Sequence, residues 1–222
     1  MRVCIGNYGY LNAGELRDQW ITLPMEPESI KPWLVENGLH DAGHEETYIS
    51  DYDGHPFPGC KEIFNEYTDI QELNVLAQVI EDKPDASDRL YDAIEADDEC
   101  NVPHDVLGLI NWIYQVDEVP YYEYEVPQGW EMSSREEKYG LMMAQEEEWY
   151  AVLEKFGVEH YFDLEQYALN DVAAGAVSLG EDGYIANDQN WPDERWYSWS
   201  DVAQDMPWEV PWAEKADQHD ER

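Results

Sequence analysis

Fifty-one Asp and Glu side chains stand against twelve Lys and Arg in this 222-residue chain, a formal net charge of -39 at neutral pH. No other feature of the sequence limits the fold as strongly. Like charges repel in a compact state, so every packed unit needs enough apolar contact to offset that repulsion. The supply exists: 43% of the residues are hydrophobic and 14% aromatic, too many for a polyanionic coil. Nor is the charge a tail. Residues 1–62 carry net -7, residues 63–119 net -13, residues 120–189 net -13 and residues 190–222 net -6. Acidity therefore runs through segments that read as folded, unlike the usual acidic block appended to an ordinary domain.

Such a surface repels nucleic acid and anionic lipid and attracts basic grooves. No apolar run approaches the length of about 18 residues needed for a membrane span. Met1-Arg2-Val3-Cys4 opens no apolar stretch with a small-residue cleavage site, so a cytoplasmic location is expected. Cys4, Cys60 and Cys100 are far apart and odd in number, which fits reduced structural thiols.

Turn signals and apolar spacing give four pieces. In residues 1–62, strands at 2–7 and 19–23 are joined by the turn-rich Asn7-Tyr8-Gly9 and Asn12-Ala13-Gly14. A helix follows at 28–37, then a β-prone stretch at 47–50 and a turn over Asp51-Tyr52-Asp53-Gly54. Residues 63–119 read as three short helices. Thr68 and Gln71 form a capping box for the first, with Leu73, Leu76 and Ile80 inward. The second spans 87–96 with Leu90 and Ile94 inward, and the third follows Pro103 with Val106, Leu109, Ile110 and Ile113. Residues 120–190 open on a tyrosine-rich strand reaching Val126. Ser134 and Glu137 then cap one long helix that Gly157 stops. A helix at 163–173 and a β-prone ending near Val177 and Tyr184-Ile185 complete an α+β chain of three small domains. The extension 191–222 is acidic and Trp-rich, holding Trp191, Trp196, Trp199, Trp208 and Trp212. It reads either as an arm packed on its own body or a sister subunit, or as an added contact surface.

Asp88, Asp92, Glu95 and Glu99 step by four, three and four residues, which places them on one helix face. Glu81 and Asp85 continue the series, Asp97 and Asp98 crowd the helix end, and Glu146, Glu147 and Glu148 repeat the pattern mid-helix. Like charges at this spacing destabilise a helix by a few tenths of a kcal/mol per pair, and a merely soluble surface would interleave lysines. Duplex DNA carries about one negative charge per 1.7 Å of axis. These acids are the expected anionic surface of a DNA mimic. Mutual repulsion is expected to raise their pKa values. The alternative reading is a halophile-type acidic housekeeping or protein-binding module, with acids spread over every face.

The sequence resembles the ArdA antirestriction family. Asn7-Tyr8-Gly9-Tyr10-Leu11-Asn12-Ala13-Gly14-Glu15-Leu16, with Trp20 and Leu23-Pro24, is similar to that family's opening segment. Tyr48-Ile49-Ser50-Asp51-Tyr52 resembles its aromatic–acidic strand. Glu66-Tyr67-Thr68-Asp69-Ile70-Gln71-Glu72-Leu73-Asn74 resembles the start of its central helical unit, and Tyr161-Phe162-Asp163-Leu164-Glu165-Gln166-Tyr167 its C-terminal element. The matches run in order over residues 1–190. The resemblance implies an elongated, three-part α+β homodimer that imitates bent DNA. It implies a partner, the DNA-binding groove in the methyltransferase core of a type I restriction–modification enzyme. It also implies carriage on mobile elements, and neither catalysis nor a cofactor. The extension from 191 lies beyond the family core.

Other chemistries find little support. His40 and His44, with Asp41, Glu45 and Glu46, have metal-like spacing, but Gly38 and Gly43 make the segment a loop without a third fixed ligand. Asp51-Tyr52-Asp53-Gly54 lacks the twelve-residue calcium loop. No phosphate-binding or nucleophile-elbow motif occurs, and no carboxylate pair is marked out for acid–base work. With -39 around them, the tyrosines do not make a base-stacking platform, so no nucleic acid is expected as a partner.

Overall fold

The computed structural model describes residues 1–53, 57–97, 101–130 and 132–220. The chain begins β1 (Arg2–Asn7), α1 (Tyr8–Asn12), β2 (Gln19–Thr22), α2 (Pro27–Glu36) and β3 (Thr47–Tyr52). Helices α3 (Ile70–Asp82), α4 (Pro84–Ala96) and α5 (Val106–Tyr114) follow. Next come β4 (Tyr121–Glu123), α6 (Arg135–Gln145), α7 (Glu148–Phe156) and α8 (Leu164–Ala173). The chain ends with β5 (Val177–Leu179), β6 (Gly183–Ala186), α9 (Trp199–Gln204) and α10 (Ala213–Asp220). This is an α+β protein with two antiparallel three-stranded sheets, ordered β2-β1-β3 and β4-β6-β5.

The elements pack as two compact units. Unit 1 contains residues 1–87, 102–115 and 193–222; unit 2 contains residues 88–101 and 116–192. Residues 63–119, grouped as one helical piece, are shared: α3 and α5 belong to unit 1 and most of α4 to unit 2.

In unit 1, β1 buries every residue from Val3 to Asn7 and pairs with β2 and β3, with a register shift against β3 between Cys4 and Ile5. The segment after β1 is a short helix rather than the expected turn. Asn7 makes the difference: its side chain caps α1 by accepting from the Gly9 and Tyr10 N–H groups. Its Nδ2 also donates to the carbonyls of Leu39 and His44. α3 has seven consecutive buried residues, Leu73 to Val79, and α5 is buried from Val106 to Ile113, so both are interior helices. The α3 cap is Asp69, which accepts the Gln71 N–H, not the expected Thr68; the Thr68 hydroxyl donates to the Ile63 carbonyl instead.

The Trp-rich extension packs on its own body. Buried Asn111 of α5 accepts the Tyr197 N–H at 2.6 Å and donates to the Tyr197 carbonyl at 2.9 Å. Gln115 donates to the Asp193 carbonyl, Glu194 accepts from His104, and Arg195 pairs with Asp105. Trp199 is buried and meets Trp212 edge-on.

Unit 2 has two apolar clusters. Tyr139, Ala168, Val177 and Leu179 form one, joined by Tyr124 and Tyr184. Leu141, Ala144 and Tyr150 form the other, joined by Trp130, Phe162 and Tyr167. Gly140 lets α6 and α8 approach closely, since a Cβ there would lie 2.2 Å from the Leu164 carbonyl oxygen. The expected strand to Val126 is only three residues long. The Ser134–Glu137 capping box forms as expected. The single long helix does not: α6 ends at Gln145 and α7 begins at Glu148, while Gly157 ends α7 with φ +67°.

Candidate functional site

Charge divides almost equally between the units: 27 acids and 8 bases in unit 1, 24 acids and 4 bases in unit 2, or net -19 and -20. Unit 2 is the smaller, so its charge is denser. Bases are missing over long stretches: no Lys or Arg occurs from residue 90 to 134 or from 156 to 194.

The densest part of unit 2 is built on α4. The helix forms because Leu90, Ala93, Ile94 and Ala96 supply one buried stripe, and Asp85 sits in the first turn, where the helix dipole favours an anion. The opposite stripe is acidic. Asp88 and Glu95 are exposed and Asp92 is half-buried between them. Glu123 of β4 and Asp182 of the β5–β6 turn join this group, close enough to act on the Asp92 charge. The Asp92 carboxyl is held above the ordinary carboxylate value, first by desolvation, then by the charges of Asp182, Glu95, Asp88 and Glu123. Arg89 is the one base present, and it is turned aside. Its Nη2 donates to the Tyr121 carbonyl at 2.6 Å, and only a long 3.5 Å contact reaches Glu123. Among the described residues no Lys or Arg pairs with Asp88, Asp92 or Glu95.

The charge density can be compared with a duplex. Residues 88 to 95 span about 10 Å of helix axis. Duplex DNA would place about six charges on that length. The five carboxylates less Arg89 give -4. The match is in order of magnitude, with Asp88, Asp92 and Glu95 unpaired by Lys or Arg among the described residues.

The other expected acids fall differently. Glu81 is exposed on α3, a separate helix from α4, because Lys83 ends α3 and Pro84 starts the next. The series from Glu81 is therefore not one helix face. Asp97 is 6% exposed and accepts the Asn101 N–H, which makes it an interior loop clamp and not a surface group. Asp98 and Glu99 lie outside the described residues. Glu146, Glu147 and Glu148 are exposed but not mid-helix: they occupy the break between α6 and α7, as C-cap, N-cap and first residue. Glu148, in the first turn of α7, gains from that helix's dipole. Repulsion does not raise carboxylate pKa values throughout. Asp41 and Asp201 are pushed down, Asp41 by hydrogen bonds from Tyr10, Gly43 and His44, and Asp201 by Ser198.

The family-motif residues mostly build local structure. Gly9 has no room for a Cβ beside the His44 ring, and Gly14 has φ +82°. Glu15 pairs with Arg17, whose guanidinium stacks on Tyr10, and the Tyr10 hydroxyl donates to Asp41. Asp51 accepts the Tyr52 N–H, and the Tyr52 hydroxyl reaches the Asn65 carbonyl. Glu66 accepts from Tyr8, while Tyr67 and Tyr161 are exposed. Asp163 caps α8, Glu165 is exposed in its first turn, and Phe162 and Tyr167 pack around Trp149. Sequence reasoning missed Glu123 and Asp182, which are brought to α4 only by the β4–β6 pairing.

Among the described residues no group of three His, Cys, Asp or Glu is placed to hold a metal ion, and no helix is long and apolar enough to cross a membrane. What the geometry presents is an acidic surface on α4, β4 and the β5–β6 turn. The sequence model described as antirestriction protein (ArdA) matches residues 3–186, and the chain belongs to this family. ArdA proteins are inhibitors directed at type I restriction–modification enzymes, not enzymes themselves. No curated protein matches the chain.

Proposed function

We propose that this chain is a DNA mimic that competes for the DNA-binding groove of a type I restriction–modification enzyme and so protects incoming DNA. The observation that carries this reading is the α4 patch: Asp88, Asp92, Glu95, Glu123 and Asp182 gathered at near-duplex charge density, with Arg89 fastened to a backbone carbonyl. Asp88, Asp92 and Glu95 have no Lys or Arg partner among the described residues, and of the five carboxylates Arg89 reaches only Glu123. Glu81, Asp85 and Glu146 to Glu148 add further exposed anions. Lys and Arg of a cationic groove pair with this surface as they pair with phosphates, and the salt ions associated with the charges are freed. The protein acts as a homodimer, and the exposed Phe156 (71%) and Tyr161 (82%) of unit 2 supply apolar surface for self-association.

The test is displacement of a fluorescent duplex from the methyltransferase core, followed by anisotropy. The protein should displace the duplex completely and stoichiometrically, with affinity falling steeply between about 50 and 200 mM salt. A ternary complex that retains the duplex would refute competition.

A further inference from the structure

The extension does more than cover unit 1. It lines an open cleft of about 520 Å³, within the range of small-ligand sites. Two of its walls are the indoles of Trp208 and Trp212, the latter fixed edge-on against buried Trp199 at 4.8 Å between centroids. Glu26 and Glu28 from the start of α2, with Glu209, set three carboxylates around it against the single ammonium of Lys215. The Nε1–H of Trp208 is buried and has no acceptor among the described residues.

These features select a ligand chemistry. Indole faces attract organic cations, most strongly where water is excluded. A flat guanidinium stacks on such a face and keeps its in-plane donors for carboxylates. We propose that this cleft is a binding site for an arginine-bearing peptide segment of a partner protein: the guanidinium lies between the indoles and the Glu side chains. The site is independent of the mimic surface. Both tryptophans lie beyond residues 3–186, and no carboxylate of the α4 patch lines it.

The test uses the full chain, labelled with ¹⁵N, and follows the indole N–H resonances while N-acetyl-arginine N-methylamide is added. The neutral isostere N-acetyl-citrulline N-methylamide is the control. Trp208→Phe, which keeps a ring, assigns the Trp208 signal by its loss. The expected result is a saturable shift of the Trp208 and Trp212 signals, with citrulline at least about tenfold weaker, since each 1.4 kcal/mol is tenfold. Trp208→Ala should weaken arginine binding at least about tenfold. The double variant Glu28→Gln, Glu209→Gln preserves shape and should weaken it several-fold. Equal binding of the citrulline isostere, no saturable shift, or equal shifts at exposed Trp196 from diffuse attraction to a polyanion would each overturn the proposal.

Discussion

Replacing Asp92 by Asn should make the protein more stable while barely changing inhibition. Asp92 sits half-buried among Asp88, Glu95, Glu123 and Asp182. Taking each neighbour at about 6 Å in a water-like dielectric gives about 0.7 kcal/mol of repulsion per pair. Physiological salt roughly halves this. Four such terms total about 1.4 kcal/mol, and adjustment of mobile exposed side chains reduces that to about 1 kcal/mol. For a chain of this size the gain corresponds to a rise of about 2–4 °C in Tm. The sign follows from linkage. A carboxyl whose folded pKa is raised binds protons more readily in the folded state, so its penalty is greatest near neutrality and fades as pH falls through that raised value. Urea unfolding at pH 7 and pH 3.5 should therefore show the gain at pH 7 and little at pH 3.5, with an unchanged m value. Inhibition should weaken no more than about twofold, because the surface acts through many charges. Lower stability at pH 7, a gain that persists in acid, or abolished inhibition would each refute the reasoning.

Asn111→Ala should destabilise unit 1 by about 2–4 kcal/mol, because it strips the Tyr197 N–H and carbonyl of buried partners; urea unfolding read by tryptophan fluorescence checks this, and a loss below about 0.5 kcal/mol would contradict it. Gly140→Ala should destabilise unit 2 by at least about 2 kcal/mol, since the Leu164 backbone must move away from the new Cβ; a neutral thermal melt would show that α6 and α8 are not so close. The His104 pKa is raised, first by its hydrogen bond to Glu194 and then by that residue's charge. The tether it makes is fully present below about pH 6.5 and is lost as pH rises through the raised value. Proteolysis after residue 192 should accelerate over that window in the natural chain and show no such pH step in His104→Gln.

The local elements were legible where one signal governed them. The β1 run and the α5 apolar block show in their hydrophobic pattern, and the Ser134–Glu137 box and the Gly157 stop rest on contacts within a few residues. The misreadings came from competition between signals. Asn7 looked like a turn residue because the sequence does not show that its amide would be held by Leu39 and His44. Helical spacing carries through Glu146 to Glu148, yet α6 ends at Gln145 and α7 starts anew at Glu148, turned so that Tyr150 packs with Leu141 and Ala144. The acidic stripe on α4 was visible from its four-three spacing. Glu123 and Asp182 were not, because sheet pairing brings them together from about sixty residues apart, and the acidic spacing that marks Asp97 as surface carries no sign of its burial.

The central claim is tested most directly by cleavage of unmodified DNA with a purified type I restriction enzyme, with this protein titrated in at several DNA concentrations. Competition for the DNA groove predicts complete inhibition and a half-inhibitory dose that rises in proportion to DNA. A dose that does not change with DNA, or cleavage untouched at saturating protein, would contradict it.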